Sequence, residues 1–378
     1  MQEINSKKII YKPLENKHIV WFQNSNSYLV VETLMATIFE KLSNGVELNA
    51  IFTWLKKEID APDNILNEFI QNAIQLFEEK NKEETKHDAI NIIPKVKTYN
   101  FSTYFQINNY VFFIECENEN LVSQILPTFA HLEIKTSNKI DFHYQVYEDN
   151  DYIFLINDRK IIGEWPQSES HIFQGKLSMQ IIIDIYQKPE EDWMGVFHAS
   201  AVNYQNKSML FLGDSGNGKS TSLAILNAHG FNCIADDFVP IDNNKNIHFY
   251  PAAISIKKKS ISTLLSYYPE LKSGAEYHFK KLNKIVRFLP PRKMSYESKT
   301  QCKALVFIKY NPKVEIDLKQ ISKIDAFQQL VPDSWISPLN KNASIFMDWF
   351  LGLPCYQLTY SDNTEMIDCV TKLFNDEL

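Results

Sequence analysis

The stretch Gly213-Asp-Ser-Gly-Asn-Gly-Lys-Ser220 decides how the second half of this chain folds. It follows a compact apolar run at 208–212 and precedes an amphipathic helical pattern that reaches about His229. Gly230 stands where such a helix would be capped, and another apolar run follows at 231–235. A strand, a glycine-rich turn, a helix and a second strand in this order predict an α/β domain.

The same eight residues satisfy the spacing G-x-x-x-x-G-K-[ST] of a phosphate-binding loop. Glycines allow backbone N–H groups to turn towards phosphates, and the following helix N-terminus adds partial positive charge. Lys219 can neutralise the β- and γ-phosphates, and the hydroxyl of Ser220 can ligate Mg²⁺. The sequence therefore predicts a site for ATP and Mg²⁺, with GTP as the open alternative. Its predicted nucleotide-binding residues are Gly213, Asp214, Ser215, Gly216, Asn217, Gly218, Lys219, Ser220 and Thr221.

Two adjacent acids, Asp236 and Asp237, come directly after the apolar run at 231–235. They would lie at the carboxyl edge of the sheet, where ligands gather in α/β proteins. One carboxylate could hold Mg²⁺ and the other could accept a proton from a substrate hydroxyl. A solvated acidic turn is the alternative interpretation. His198, which lies 21 positions before Lys219, is by itself more typical of a structural histidine.

Together, His198, the loop 213–220 and Ala235-Asp-Asp237 resemble the HPr kinase/phosphorylase family and its kinase-like relatives. The resemblance covers about 194–242 and extends more weakly towards the C-terminus. It implies a serine kinase with a fold like the nucleotide-binding part of phosphoenolpyruvate carboxykinase. It also implies that Asp236 is the base, that Lys219 binds phosphates, and that His198 sets the protonation of the base. Asp237 and Ser220 would then serve the metal.

The later functional acid and arginine of that family have no obvious match here, where 250–259 reads YPAAISIKKK. This departure leaves open whether the reverse, dephosphorylating activity of some members is present. The chain contains three arginines, and two of them, Arg287 and Arg292, flank a Pro-Pro pair. They are candidates for phosphate or acceptor contacts, with a surface role as the alternative.

The N-terminal region predicts a small winged-helix-like module. Strand patterns at 9–11, 18–22 and 28–31 precede helical patterns at 33–42, 48–55 and 62–79. The stretch from Tyr28 to Gly45, with Leu48 and Ile51, resembles a PqqD-type domain. That resemblance implies recognition of the leader segment of a ribosomally made peptide by pairing with a strand edge. A winged helix used for packing alone is the alternative.

The expected fold class is a multidomain combination of α/β and α+β parts. We expect a PqqD-like module at 1–85, a linker at 86–96, an α+β middle domain at 97–190, and an HPr kinase-like P-loop domain at 191–378. The middle region carries no chemical motif and is interpreted as a scaffold.

Bulk properties narrow the expected partners. Of 378 residues, 22% are charged and the net charge is -7, so neither nucleic acid nor an anionic membrane is expected as a partner. Five cysteines without a CxxC pair favour free thiols, and no signal peptide or membrane span is visible, so we expect a cytoplasmic protein. A homo-oligomer is left open.

The combined motifs predict an ATP- and Mg²⁺-dependent serine or threonine kinase. Its acceptor would be a ribosomally made precursor peptide, or a small protein, held by the N-terminal domain. Two alternatives remain, namely an ATP-gated peptide sensor without phosphoryl transfer and a small-molecule kinase.

Overall fold

A computed structural model describes residues 9–82, 97–279, 284–297 and 299–378. The predicted linker 86–96 lies outside these residues. The described chain divides into two compact units, one of residues 9–82 with 322–352 and one of the rest. This division differs from the predicted boundaries in two ways. The segment 322–352, predicted to belong to the last domain, belongs to the first unit, and the middle region 97–190 belongs to the same unit as 191–321 and 353–378.

The secondary structure is mixed, as the sequence predicts, with several sheets and many helices. The first elements are β1 (Ile9–Leu14), β2 (Lys17–Phe22), β3 (Ser27–Glu32), α1 (Thr33–Ser43), α2 (Leu48–Glu58) and α3 (Asp63–Lys80). The middle elements are β4 (Phe101–Ile107), β5 (Tyr110–Cys116), α4 (Glu119–Ile125), β6 (Glu133–Ile134), β7 (Phe142–Asp149), β8 (Tyr152–Asn157), β9 (Lys160–Pro166) and α5 (Ser170–Tyr186).

The remaining elements surround the glycine-rich loop or follow it. They are β10 (Trp193–Phe197), β11 (Ser200–Tyr204), β12 (Lys207–Leu212), α6 (Lys219–Ala228), β13 (Asn232–Ala235), β14 (Val239–Asp242), β15 (Asn246–Ile247), β16 (Ile254–Lys257), α7 (Ile261–Leu264), β17 (Tyr277–Phe279) and β18 (Lys284–Leu289). The last are β19 (Thr300–Tyr310), β20 (Asp317–Gln320), α8 (Lys323–Leu330), β21 (Trp335–Ile336), α9 (Asn340–Gly352), β22 (Cys355–Tyr360) and α10 (Asn363–Phe374).

In the first unit, β1, β2 and β3 form an antiparallel sheet in chain order. Alternate side chains point to opposite faces of a strand. One face therefore carries Phe22, which packs edge-on against Phe39 of α1 and Phe77 of α3. The other face carries Tyr28, whose ring meets Phe346 of α9 at 5.4 Å between centroids. The sheet thus lies between two helical layers, and the second layer comes from 322–352.

In the second unit, the middle region forms a sheet in the order β6-β4-β5-β7-β8-β9. Helix α5 packs on β8 and β9 of this sheet. The hydroxyl of Tyr186, at the end of α5, donates a 2.6 Å hydrogen bond to the carbonyl of Phe249. The backbone N–H of Ala253 donates to the carbonyl of Thr128 at 2.8 Å. The middle region therefore packs directly on the segment that precedes β16.

The sheet that carries the glycine-rich loop has the order β13-β11-β12-β19, and β22 pairs with β19 on its other side. Strands β12, β19 and β22 are parallel, whereas β11 and β13 are antiparallel to their neighbours. Helices α6 and α10 pack on this sheet. A smaller antiparallel sheet, β16-β18-β17, touches α6 through β16. Within the described residues, no helix is both long and apolar enough to cross a membrane.

Candidate functional site

The loop between β12 and α6 has a backbone shape that calls for glycine. Gly213, Gly216 and Gly218 have φ angles of 134°, 105° and 99°, which other residues rarely adopt. A Cβ atom on Gly213 would lie 2.8 Å from the carbonyl oxygen of Ile308 on the neighbouring strand β19. Gly213 is therefore fixed both by its φ angle and by the close approach of β19.

Neighbouring strands hold this loop in place. The backbone N–H of Tyr310 donates to the carbonyl of Asn217 at 3.0 Å. The hydroxyl of Ser222 donates to the carbonyl of Gly218 at 2.9 Å and also lies 2.8 Å from the hydroxyl of Tyr360. Contacts from β19 and β22 thus fix the point at which α6 begins. The first N–H groups of a helix have no partner within the helix, so this end offers donors to an anion.

An open cavity lies over the loop and the start of α6, with a volume of about 560 Å³ that includes the solvent at its mouth. Its lining includes most of the predicted nucleotide-binding residues together with His198 and Asp237. The lining residues are His198, Asp214, Ser215, Gly216, Gly218, Lys219, Ser220, Thr221, Asp237, Ser255, Lys257, Lys259, Ser260 and Lys284. Residues that lie up to 86 positions apart in the sequence therefore meet at one concave surface.

Lys219 lies at the inner wall of this cavity. Its side chain is 6% exposed, and its Nζ donates a 2.5 Å hydrogen bond to the carbonyl of Gly213. The ammonium is therefore held across the loop, between the first glycine and the helix start. An ammonium in this position is a point charge for the phosphates that such a loop would cradle.

The two adjacent acids have different surroundings. Asp236 is 5% exposed and accepts hydrogen bonds from the hydroxyl of Ser200 at 2.6 Å and from the N–H of Ser255 at 3.2 Å. Burial and the neighbouring charge of Asp237 raise the pKa of Asp236 to about 7, although hydrogen bonds from Ser200, Ser220 and Ser255 oppose the shift. Asp237 has φ 60° and a side chain that is 40% exposed. The cavity therefore presents Asp237, while Asp236 is buried beside Ser220.

His198 lies in the short turn between β10 and β11 and is 43% exposed. Its Nε2 is 3.8 Å from Oδ1 of Asp237, and its Nδ1 is 3.3 Å from the Asp237 carbonyl oxygen. The ring therefore contacts Asp237 rather than the buried Asp236. An exposed imidazole and an exposed carboxylate at one cavity wall can together bind a hydroxyl group and accept its proton.

Three lysines of the lining were not assigned a role from the sequence. Lys257 ends β16, Lys259 follows it, and Lys284 begins β18, the strand that pairs with β16. The Nζ of Lys257 donates a 2.7 Å hydrogen bond to the hydroxyl of Ser215 in the glycine-rich loop. The run of three lysines at 257–259 was the available signal, but such a run is typical of a solvated strand end.

The two candidate arginines are engaged elsewhere. Arg287 donates to the carbonyls of Leu271 and Lys272 and forms a 3.0 Å ion pair with Glu276. Arg292 donates to the carbonyls of Ala228 and Tyr267, and its guanidinium lies 4.7 Å from the ring centre of Tyr268. Neither side chain belongs to the cavity lining. The structure therefore brings together the loop, His198 and Asp237, but not these arginines.

Comparison of the chain with protein-family models found no match, and comparison with curated proteins found none either.

Proposed function

We propose that this protein is an ATP- and Mg²⁺-dependent kinase that phosphorylates a serine or threonine of a ribosomally made peptide or small protein. The observation that carries the proposal is the single cavity shared by the loop 213–221, Asp237 and His198. This combination supports the HPr kinase-like interpretation of the P-loop domain. A phosphate cradle alone would fit many nucleotide-binding proteins, whereas an exposed acid and histidine at the same cavity add a means of activating a hydroxyl.

The residues present fit a nucleotide and its metal. The left-handed glycines and the N-terminus of α6 offer N–H donors, and Lys219 adds a positive charge at the wall. Magnesium in such sites takes few protein ligands, because phosphate oxygens and water supply the others. When bound, it would neutralise the negative charge of the phosphates. Ser220 would hold it with one of the two acids.

The contacts favour a division of roles between the acids that reverses the one predicted from the sequence. Asp236 is buried and hydrogen-bonded to Ser220, so it is placed to serve the metal with that hydroxyl. Asp237 is exposed at the cavity and contacts His198, so it is placed to accept the proton of an acceptor hydroxyl. His198 would orient the Asp237 carboxylate. We therefore propose that Asp237 is the general base and that Asp236, with Ser220, helps to hold Mg²⁺.

The sheet of the first unit has an unpaired strand edge within the described residues. Strand β3 pairs with β2 along one side, and within the described residues no strand pairs with its other side. An extended peptide can add to such an edge through backbone hydrogen bonds. Helices α1–α3 pack beside this sheet, as the PqqD-like interpretation requires. We propose that the leader segment of the acceptor binds along β3.

The test is incubation with ATP, Mg²⁺ and each short peptide encoded beside the gene, followed by mass spectrometry of the peptides. We expect one peptide to gain phosphate on Ser or Thr and the Lys219→Met variant to leave it unmodified. The absence of any phosphopeptide, despite ATP binding, would contradict the kinase. Peptide affinity that depends on ATP without turnover would instead support the sensor, and transfer to free serine or a sugar would support a small-molecule kinase.

The two acids are separated by their effects on the Mg²⁺ requirement. Asp237→Asn should lower turnover at least about a hundredfold while the Mg²⁺ concentration for half-maximal rate is unchanged, because a general base contributes on that scale. Asp236→Asn should raise that Mg²⁺ concentration. The opposite pattern would return the base to Asp236.

A further inference from the structure

Lys257 is a second cation held against the glycine-rich loop. It ends β16, whose pairing with β18 places Lys257 opposite Val286. From this position its Nζ reaches the hydroxyl of Ser215 at 2.7 Å. Lys257 thus belongs to a paired strand and not to the loop. The pairing of β16 with β18 fixes the position from which the ammonium reaches the loop.

Among the described residues, cations outnumber acids around Lys257. Within the described residues Lys257 forms no ion pair, whereas the next residue, Lys258, pairs with Glu276 at 3.7 Å. Burial lowers the pKa of Lys257, and the nearby charges of Lys284, Lys259 and Lys219 lower it further, while Asp237 opposes them. A half-buried cation among other cations, at the wall of a cavity, is a site that an anionic ligand would stabilise.

This local excess of positive charge stands against a net charge of -7 for the chain. Phosphoryl transfer needs cations around the transferred group, and an arginine often supplies one of them. Here Arg287 and Arg292 are bound to carbonyls, and Arg159 lies in the turn between β8 and β9. The described lining of the cavity contains four lysines, and Lys257 contacts the loop through Ser215 in addition to Lys219, which contacts Gly213.

We propose that Lys257 binds the terminal phosphate of the nucleotide together with Lys219 and takes the place of an arginine during transfer. The inference rests on the proposed kinase function. In the transfer, the acceptor oxygen forms a bond to the γ-phosphorus, and the bond from that phosphorus to the β,γ-bridging oxygen breaks. The bridging oxygen leaves with the electron pair as part of the nucleoside diphosphate, and the acceptor proton passes to Asp237. Lys257 stabilises the negative charge on the transferred group throughout.

The proposal is tested by calorimetric titration of ATP and of ADP, each with Mg²⁺, into the wild type and three variants of the full chain. Lys257→Ala should weaken ATP binding about tenfold or more and ADP binding less than about threefold, because a lost charge-assisted bond to the γ-phosphate affects ATP alone. Lys257→Arg should restore part of the preference for ATP. Lys258→Ala is the matched control and should change neither affinity.

The outcomes separate this inference from the proposed function. Circular dichroism and thermal melting first establish that each variant is folded like the wild type. If the wild type binds ATP but Lys257→Ala keeps the same ratio of ATP to ADP affinity, the role of Lys257 is overturned and the nucleotide site stands. If the wild type binds neither nucleotide, both are overturned. If Lys257→Ala binds both nucleotides more weakly by the same factor, Lys257 does not contact the terminal phosphate.

Discussion

The carboxyl group of Asp236 is held at a free-energy cost in the folded protein. Burial, with repulsion from Asp237, raises the pKa of Asp236 to about 7, whereas in the unfolded chain it returns to its ordinary value of 3.8. Ionisation therefore favours the unfolded chain. The stability contributed by this residue falls as pH rises from about 4 to about 7 and stays low above that.

The first prediction follows from this sign. Asp236→Asn should raise the free energy of unfolding at pH 8 by up to about 4 kcal/mol, because an amide cannot ionise and each of the roughly three units of pKa shift corresponds to about 1.4 kcal/mol. The amide oxygen can still accept from Ser255, and its NH₂ can donate to Ser200. The measurement is urea unfolding in EDTA at pH 5 and pH 8, and the gain should be larger at pH 8. Asp237→Asn, at the 40% exposed position, should give a smaller gain at pH 8, because it removes the repulsion from Asp237 but leaves the ionised Asp236 buried. An Asp236→Asn variant that is less stable than the wild type at pH 8 would contradict this account.

The second prediction concerns Gly213. Gly213→Ala should destabilise the protein by about 2 kcal/mol or more and abolish ATP binding, because a Cβ would meet the Ile308 carbonyl at 2.8 Å. Gly216→Ala is the control, since its φ is also positive but no atom lies within 4 Å of the added Cβ. It should cost about 1 kcal/mol. Urea unfolding and ATP calorimetry measure both effects, and equal costs at the two positions would show that the contact with β19 is unimportant.

Around the cavity, local pattern predicted the strand, the glycine-rich turn and the helix, but not the position of Lys257 and Lys284. The glycine spacing between an apolar run and an amphipathic pattern is a signal contained within about 20 residues. Lys257 and Lys284 reach the cavity because β16 pairs with β18 and touches α6, and such pairing across loops leaves no local trace in the sequence. The sequence Asp-Asp likewise does not show that Asp236 is buried and Asp237 is exposed.

At the scale of elements, the helical periodicity of the N-terminal region gave α1, α2 and α3 close to their observed bounds. In other segments, one predicted element is divided in the structure by a turn or by a proline. The residues 196–203 form one compact apolar run in the sequence, but the structure divides them into β10 and β11 at His198. An amphipathic pattern at 120–132 predicts one helix, but α4 ends at Ile125 and Pro127 begins a short 3₁₀ helix. The strand pattern at 104–115 is interrupted by a turn at Asn108, which has φ 54°.

Helix α9 supplies the second layer on the sheet of the first unit, and this gives the third prediction. Phe346 is fully buried and contacts Tyr28, Phe327 and Phe350. Phe346→Ala should lower the free energy of unfolding by about 3–5 kcal/mol through lost burial and an unfilled cavity. Ile65→Ala on α3, where the side chain is 49% exposed, is the control and should change little. A small effect at Phe346 in thermal or urea unfolding would argue against the second layer.

At the scale of the whole molecule, the chain leaves and re-enters the second unit at neighbouring positions. Strands β20 and β22 are antiparallel partners, and the N–H of Ile321 donates to the carbonyl of Cys355 at 3.0 Å. The segment 322–352 is therefore inserted between adjacent strands and completes the first unit. Contacts such as the ion pair of Lys12 with Asp348 span most of the chain, so periodicity could not predict them.

The fourth prediction uses this insertion. A chain of residues 97–321 joined by a short Gly-Ser linker to 353–378 should fold and bind ATP with an affinity within about threefold of the full chain, because its ends at the junction are already close. Deletion of 1–88 alone should instead give an aggregating protein, since Phe327 and Phe346 lose the sheet that covers them. Size-exclusion chromatography and ATP calorimetry compare the two. A monomeric and stable deletion variant would contradict the role of 322–352.

The nucleotide site itself is tested most directly by calorimetric titration of ATP with Mg²⁺ into the full chain and into Lys219→Met. The wild type should bind one ATP per chain. Lys219→Met should bind ATP at least about tenfold more weakly, because it lacks the ammonium that contacts the loop at the Gly213 carbonyl and would pair with the phosphates. A wild type that binds no ATP, or a Lys219→Met variant with the same affinity, would contradict a triphosphate site at Gly213–Ser220.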